Sequence, residues 1–305
     1  VSNSLDPPAA DPTGLDRSRW EPEDDRVGAV EVRGIELIPD SDRHGTPREL
    51  FPIWMTANLT VLYLFFGAIL ISLGLNIWQA VAAAVVGNLF YVLIGVAATA
   101  GPKAGTSTLV ISRAMFGLHG NRLSAFPSWL SLVGFEGINL AFGSFALFAL
   151  AEDLGWHVGT FGKALFLAMN MLITFGLAVL GHASIVRFQQ IFAWGLGVIS
   201  LLLIAFTIGH VNWSYAPEVP LHGTAAWVAF TAGLTIVLTG PLSWCVLPAD
   251  FTRYMPRDSS PKQIVFYTAL GGMVPAIGLT VLGALISTAV DPTDLTVSVK
   301  EIVPG

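Results

Sequence analysis

Charge is what this chain has least of. Only 12% of its 305 residues are Asp, Glu, Lys or Arg, against about 25% in soluble domains. That shortfall, with 53% hydrophobic residues and a mean hydropathy of +0.67, excludes an ordinary soluble domain and points to a membrane protein. Cysteine is scarcer still. The single Cys245 excludes a disulfide framework and any cysteine-based metal cluster. Beside Trp244 it reads as a small packing residue rather than a reactive thiol. There is no HExxH or GxSxG motif, and the apolar segments hold no cluster of His or Asp. An intramembrane enzyme would lack a nucleophile–base pair or metal ligands, so none is expected. The formal net charge of −6 says little, because the acids sit mostly near the N-terminus, and no nucleic-acid partner is expected.

What is present falls into three regions. Val1 to Asp25 is rich in Asp, Pro and Ser and too poor in apolar residues to form a core, so it is expected to be disordered. It has no basic stretch followed by an apolar one, unlike a signal peptide. Glu31 to Leu50 mixes apolar and charged residues and is expected along the membrane surface, which makes residues 1–50 a cytoplasmic tail. Residues 51–290 hold seven long apolar segments: Phe51–Leu75, Trp78–Ala100, Ala125–Ala151, Ala164–Gly181, Phe188–Gly209, Ala225–Val246 and Ile264–Val290. At about 1.5 Å rise per residue each can cross a hydrocarbon core of about 30 Å. Short links at Asn76–Ile77 and Gly181–Arg187 imply antiparallel neighbours. Residues 291–305 form a polar loop.

Charge placement gives an orientation. With the N-terminus inside, the cytoplasmic segments hold Arg43, Arg48, Lys103, Arg113, Arg122, Arg187, Arg253, Arg257 and Lys262, and the outer loops only Lys163 and Lys300. Such a bias is the rule for inner-membrane proteins, so a multi-pass plasma (inner) membrane protein with a cytoplasmic N-terminus is expected.

The stretch Ala225–Tyr254 organises the rest. It is apolar up to Gly240-Pro241, continues with Ser243-Trp244, and meets Pro248 before Asp250 and Arg253. Proline removes a backbone donor, so a continuous helix is not expected through Pro241. Lipid cannot satisfy the freed carbonyls, and such a break belongs against protein or a wet cavity. Hydroxyls and a tryptophan beside it suit a midplane binding site, the alternative being a simple kink in a packed helix. The first and sixth segments are both threonine-bearing apolar runs interrupted by glycine near mid-membrane, as when the sixth opens a second, inverted repeat. A complete second repeat would need three further spans, so the chain reads as the N-terminal part of a longer transporter.

The third segment carries SLVGFEGINLAFGSFAL. Phe135 and Asn139 are four apart and share a helix face, and Glu136 and Asn139 are three apart and adjoin. Gly134, Gly137 and Gly143 allow close approach of a neighbouring helix or a flat ligand. Phe135 offers a stacking face and Asn139 both donors and an acceptor, a pair that suits a planar heterocycle with amide-like edges. Asn139 as an interhelical hydrogen-bonding group is the alternative. Glu136 is the one acid deep in a segment, and its carboxyl is either a proton-coupling group, a pocket wall or a protonated partner of a neighbouring helix. An aromatic–amide pocket speaks against a channel, which would want rings of charge or carbonyls. Gly101 to Asn121 is too polar to span and reads as a short helix packed under the bundle.

Four spaced motifs resemble the nucleobase:cation symporter-1 family, the purine and cytosine permeases. They are Pro102-Lys103-x-Gly105-x-Ser107 leading into Ser112-Arg113-x-x-Phe116-Gly117, the segment Arg43–Phe51, Trp54-x-x-x-Asn58, and Ala249-Asp250-Phe251-Thr252-Arg253-Tyr254. The resemblance covers about Glu36 to Val290. It implies an all-α integral membrane, inverted-repeat (five-plus-five helix, LeuT-like) transporter fold with two further helices. It implies import of a planar nitrogen heterocycle with Na⁺ or H⁺ and no other cofactor. By the resemblance the ligand lies between Phe135 and Trp244, with Ser243 beside the latter and Asn139 reading the ring's edge. Phe135 departs from the family's usual tryptophan. Phe65 aligns with a polar ligand contact of the first span and departs from it too. The family's sodium site would take the backbone carbonyls of Val61 and Leu64 and hydroxyls from an eighth span. A nucleobase of the cytosine or purine type is the expected ligand, with hydantoin, allantoin, uracil or a thiamine-like vitamin as the alternative.

Overall fold

A computed structural model of the chain describes Gly28, residues 34–217 and residues 221–289. The stretch expected to be disordered, Val1 to Asp25, and the polar loop 291–305 lie outside the described residues. Those residues form eleven α-helices and three short 3₁₀ turns, with no strand among them. Apolar composition and length let five segments cross a membrane: Ile77–Ala104, Arg113–Asp153, Ser184–Thr207, Gly223–Val246 and Pro261–Thr288. A sixth is a bent pair, Pro47–Asn58 with Leu62–Ser72, whose axes meet at 59°. The remaining expected span, Ala164–Gly181, falls on the apolar helix Thr160–Val179.

The first span is therefore two helices, α1 (Leu50–Asn58) and α2 (Leu62–Ser72). Its break lies at Leu59–Val61, not at the glycine where the sequence pattern placed it. Two polar side chains compete with the ladder there. The Asn58 amide turns back to donate to the Trp54 carbonyl at 2.8 Å, and the Thr60 hydroxyl accepts from the Leu62 amide at 3.4 Å. Leu59 leaves helical geometry at φ −79°, ψ 68°. The expected glycine, Gly67, is helical and serves packing: a methyl there would overlap the Thr280 carbonyl, and one on Gly283 would overlap the Leu64 carbonyl. Small residues at such contacts let helix backbones touch, which is how α2 seats on α11 (Pro261–Ala289).

Helices α3 (Ile77–Asn88) and α4 (Tyr91–Ala98) follow α2. Asn76 starts α3 with a reciprocal capping box: its side chain accepts from the Gln79 N–H at 2.9 Å, and the Gln79 side chain accepts from the Asn76 N–H at 3.0 Å. Leu50, Trp54, Tyr63, Phe66, Tyr91, Ile94, Leu279 and Leu282 form one buried cluster, and Leu70, Leu75, Ala80, Ala83 and Val237 a second. Both are built by α1–α4, α11 and α10 (Gly223–Ser243). The long α7 (Arg113–Asp153), α8 (Thr160–Val179) and α9 (Gly181–Thr207) are far less buried within the described chain. One residue, Leu180, joins α8 to α9, a tighter link than expected.

The segment before α1 does not lie free on a surface. Ile38 is fully buried and its N–H donates to the Gly105 carbonyl at 2.8 Å. His44 N–H donates to the Tyr254 carbonyl at 2.7 Å, and Arg253 Nη1 to the Gly34 carbonyl at 2.6 Å. Arg43, also buried, donates to the carbonyls of Ile38 and Pro102. The Arg43, Pro102 and Ala249–Tyr254 motifs, far apart in sequence, thus meet at one end of the bundle. Pro102 belongs to α5 (Ala100–Ala104), which α6 (Thr108–Ile111) follows. Asp250 Oδ2 accepts from the Thr108 N–H at 2.9 Å and hydroxyl at 2.7 Å, capping α6 from the other side of the sequence. Gly101–Asn121 is thus several short pieces rather than one short helix. Gly117, at φ 68° and ψ 174°, separates the first turn of α7 from the rest.

Candidate functional site

A cavity of about 220 Å³ lies where the break of the first span, α7 and the end of α10 converge. Ala57, Asn58, Thr60, Leu62 and Tyr63 line it from the break. Leu132, Phe135, Glu136 and Asn139 line it from α7, at i, i+3, i+4 and i+7, which puts all four on one helix face. Gly240, Ser243, Trp244 and Leu247 close it from the third side.

The third wall depends on how α10 ends. The helix runs through Pro241 to Ser243 and only then tightens into a 3₁₀ turn, Trp244–Val246. The expected interruption at Gly240-Pro241 is thus displaced by three residues. Pro241 has no N–H to give the Val237 carbonyl, so one bond of the ladder is missing, and the helix ends two residues later. The Trp244 N–H turns to the Pro241 carbonyl, and the Ser243 hydroxyl donates to the Gly240 carbonyl at 2.6 Å. The change of pitch leaves Trp244 half-buried at the cavity wall. Gly240 is required for a neighbour: a methyl there would come within 2.9 Å of the Tyr63 ring and hydroxyl.

The floor of the site is a buried polar triad. Asn58 Oδ1 accepts from the Tyr63 hydroxyl at 2.8 Å and from the Tyr91 hydroxyl, and the two hydroxyls lie 2.7 Å apart. Asn58 ends α1, Tyr63 opens α2 and Tyr91 opens α4, so the triad ties both sides of the break to the next span. Trp54, fully buried one turn before Asn58, packs edge-on against Trp244 and Tyr91.

Phe135, Glu136, Asn139, Ser243 and Trp244, singled out in the sequence, thus line one cavity. Phe65 does not line it; its ring is stacked on Phe142 of α7 at 4.8 Å and 27°. Its place on α2 is one turn too far past the break. The Val61 carbonyl accepts from the N–H groups of Leu64 and Phe65 at 2.9 and 3.3 Å, and the Leu64 carbonyl abuts Gly283. Both carbonyls are engaged in α2 and its contact with α11, a register the unexpected position of the break explains. Of Gly134, Gly137 and Gly143, the first two face open space, and Gly143 is approached by the Asn170 amide of α8. Asn58, Thr60 and Tyr63 were not singled out as site residues. Their signal is a polar cluster, Asn58-x-Thr60, inside an apolar run, followed by a tyrosine that the break folds back.

The family model for permeases for cytosine/purines, uracil, thiamine and allantoin matches residues 37–304. The chain is 29% identical over 265 residues to the putative purine-cytosine permease YxlA of Bacillus subtilis, covering 85% of this chain and 55% of that one. It is 26% identical to the purine-cytosine permease fcyB of Emericella nidulans, covering 86% and 50%. It is 22% identical to the vitamin B6 transporter TPN1 of Saccharomyces cerevisiae, covering 90% and 48%. The chain therefore spans about half the length of these curated relatives. Among solved structures it matches MHP1, a nucleobase-cation-symport-1 family transporter in a closed conformation with bromovinylhydantoin bound, at a TM-score of 0.71 and 18% identity, covering 88% of this chain and 60% of that one. The all-helical architecture is the fold of that transporter. With a family model matched over nearly the whole described length, the chain belongs to the nucleobase:cation symporter-1 family, the permeases for cytosine, purines and related rings.

Proposed function

We propose that the complete protein imports a nucleobase of the cytosine or purine type across the plasma membrane, driven by an inward Na⁺ or H⁺ gradient, without converting it. The observation that carries this reading is the cavity itself. Aromatic faces at Phe135 and Trp244 and an amide at Asn139 line one space about the broken first span. Planar rings gain from stacking on such faces, and a polar edge gains from the amide. The N-terminus lies in the cytoplasm in this reading, as the Lys and Arg placement favours.

A second reading keeps the site and changes the ring to hydantoin, allantoin, uracil or a vitamin. The similarity to a vitamin B6 transporter and to a hydantoin-bound structure favours it.

Uptake of labelled cytosine by the full gene product, in a host lacking its own permease, tests both. The expected result is saturable uptake competed by purines and abolished by choline replacement of sodium or by a protonophore. A well-expressed protein that takes up labelled hydantoin or pyridoxine but no cytosine would overturn the first reading in favour of the second.

A further inference from the structure

We infer that Glu136 selects among rings in this cavity by accepting a hydrogen bond from an exocyclic amino group on the ligand's edge. The inference rests on the proposed nucleobase reading and deepens it. It starts from which polar groups of the site are already committed. Asn58 Oδ1 takes the hydroxyls of Tyr63 and Tyr91, and its amide donates to the Trp54 carbonyl. The Ser243 hydroxyl gives its proton to the Gly240 carbonyl. Thr60 takes the Leu62 amide. Glu136 is different: it lines the cavity, and its Oε1 is buried with no hydrogen-bond partner among the described residues. Asn139, one turn on and lining the same cavity, is exposed.

A buried acceptor without a partner is costly unless something else supplies the donor, and the space that Glu136 lines is the cavity. An ionised carboxylate only accepts. Facing an exocyclic amino group, it gains a charge-assisted hydrogen bond. Facing a ring carbonyl, it meets another acceptor, and both are left unpaired. The Asn139 amide, able to donate and accept, tolerates either kind of edge. Glu136 is therefore the group that separates rings with an amino group at the edge it faces, such as cytosine, from rings with a carbonyl at that same position, such as uracil, whose N–H groups lie at other ring atoms, while Phe135 and Trp244 stack on both.

The test uses the full gene product purified in detergent, with binding of labelled cytosine competed by uracil and by pyrimidin-2-one, which is cytosine without its amino group. Wild type should hold cytosine at least about tenfold more tightly than either competitor, the worth of one hydrogen bond to a charged group. E136Q, which keeps the shape but turns one oxygen into a donor, should bring cytosine and uracil close to equal affinity. W244A should weaken both alike. An unchanged cytosine-to-uracil ratio in E136Q would overturn the role of Glu136 and leave the nucleobase reading intact. So would a wild type that holds pyrimidin-2-one as tightly as cytosine, a result that needs no variant to fold. Binding of hydantoin or pyridoxine with none of the three pyrimidines would overturn the nucleobase reading itself, and the inference with it.

Discussion

The indole of Trp54 meets that of Trp244 edge-on, with ring centroids 5.3 Å apart and planes at 71°. Trp54 is fully buried on α1, whereas Trp244 stands at the cavity wall. Phe251 packs against both, at 5.2 and 6.2 Å. The stacking face that the cavity offers is thus backed by a ring anchored in the core and by another from the Ala249–Tyr254 motif. Aromatic pairs favour such edge-to-face geometry, and a face whose plane is already set loses little freedom when a ligand arrives.

Replacing Trp244 with Ala should therefore weaken ring binding severely. Base–aromatic stacking is worth about 1–3 kcal/mol, or roughly 5- to 150-fold in Kd. Equilibrium binding of labelled cytosine to the full gene product checks it. Unchanged affinity at normal expression would remove Trp244 from the site.

Asn139→Ala should do something different: it should change which ring competes best. A group that pairs with a polar edge discriminates by leaving the wrong ligand unpaired, whereas a packing residue affects every ligand alike. Competition of bound cytosine by purines, uracil and hydantoin separates the two. An equal loss across the series would make Asn139 a packing residue of α7.

At the other end of the bundle, pH should act through Asp40. The hydrogen bond from Arg257 (Nε to Oδ1, 2.7 Å), supported by the charges of Arg257 and Arg43, holds its carboxyl below the ordinary value of 3.8. A carboxyl lowered in the folded state contributes to docking above its unfolded value and loses that contribution as pH falls through its folded one. Asp40→Asn should therefore speed amide exchange at Ile38 and His44, whose N–H groups bond to Gly105 and Tyr254, at pH 6. The difference from wild type should shrink as pH drops below 3.8. Since Asp40 is exposed and the pair solvent-screened, the effect should be small and weaken with salt. A difference that persists at low pH would place the cause outside this charge.

How much of this was legible in the chain depended on where the backbone bends. Phe135, Glu136 and Asn139 sit on an unbroken stretch of α7, so spacing alone put them on one face. Trp244 and Ser243 were flagged by the prolines around them, although the helix runs through Pro241 before it tightens. The first span misled because its break carries neither proline nor glycine. It arises from side chains of Asn58 and Thr60 competing for backbone groups, which periodicity cannot register. With the break unseen, the expected ligand contact of the first span fell on Phe65, which packs on Phe142 instead of lining the cavity. The docking of Ile38 and Arg43 was hidden for another reason: its partners lie some sixty and two hundred residues away.

The triad at that break gives the last prediction. Asn58 supplies the acceptor for two buried tyrosine hydroxyls, and an unsatisfied buried polar group costs about 1–3 kcal/mol. Asn58→Ala should accordingly lower the thermal stability of the protein in detergent, and ligand binding with it, since Tyr63 forms part of the cavity wall. Tyr63→Phe removes one of the same bonds from the other side. If the hydrogen bond itself is what matters, the two changes should not add, because the second removes a donor that the first has already stranded. Unfolding of the two single variants and the double variant, followed by tryptophan fluorescence, measures the coupling. A double variant destabilised by the full sum would mean that Asn58 and Tyr63 hold the break by separate contacts. A coupling of the order of one hydrogen bond would mean that this pair holds the two half-helices together, and so shapes the cavity that lies between them.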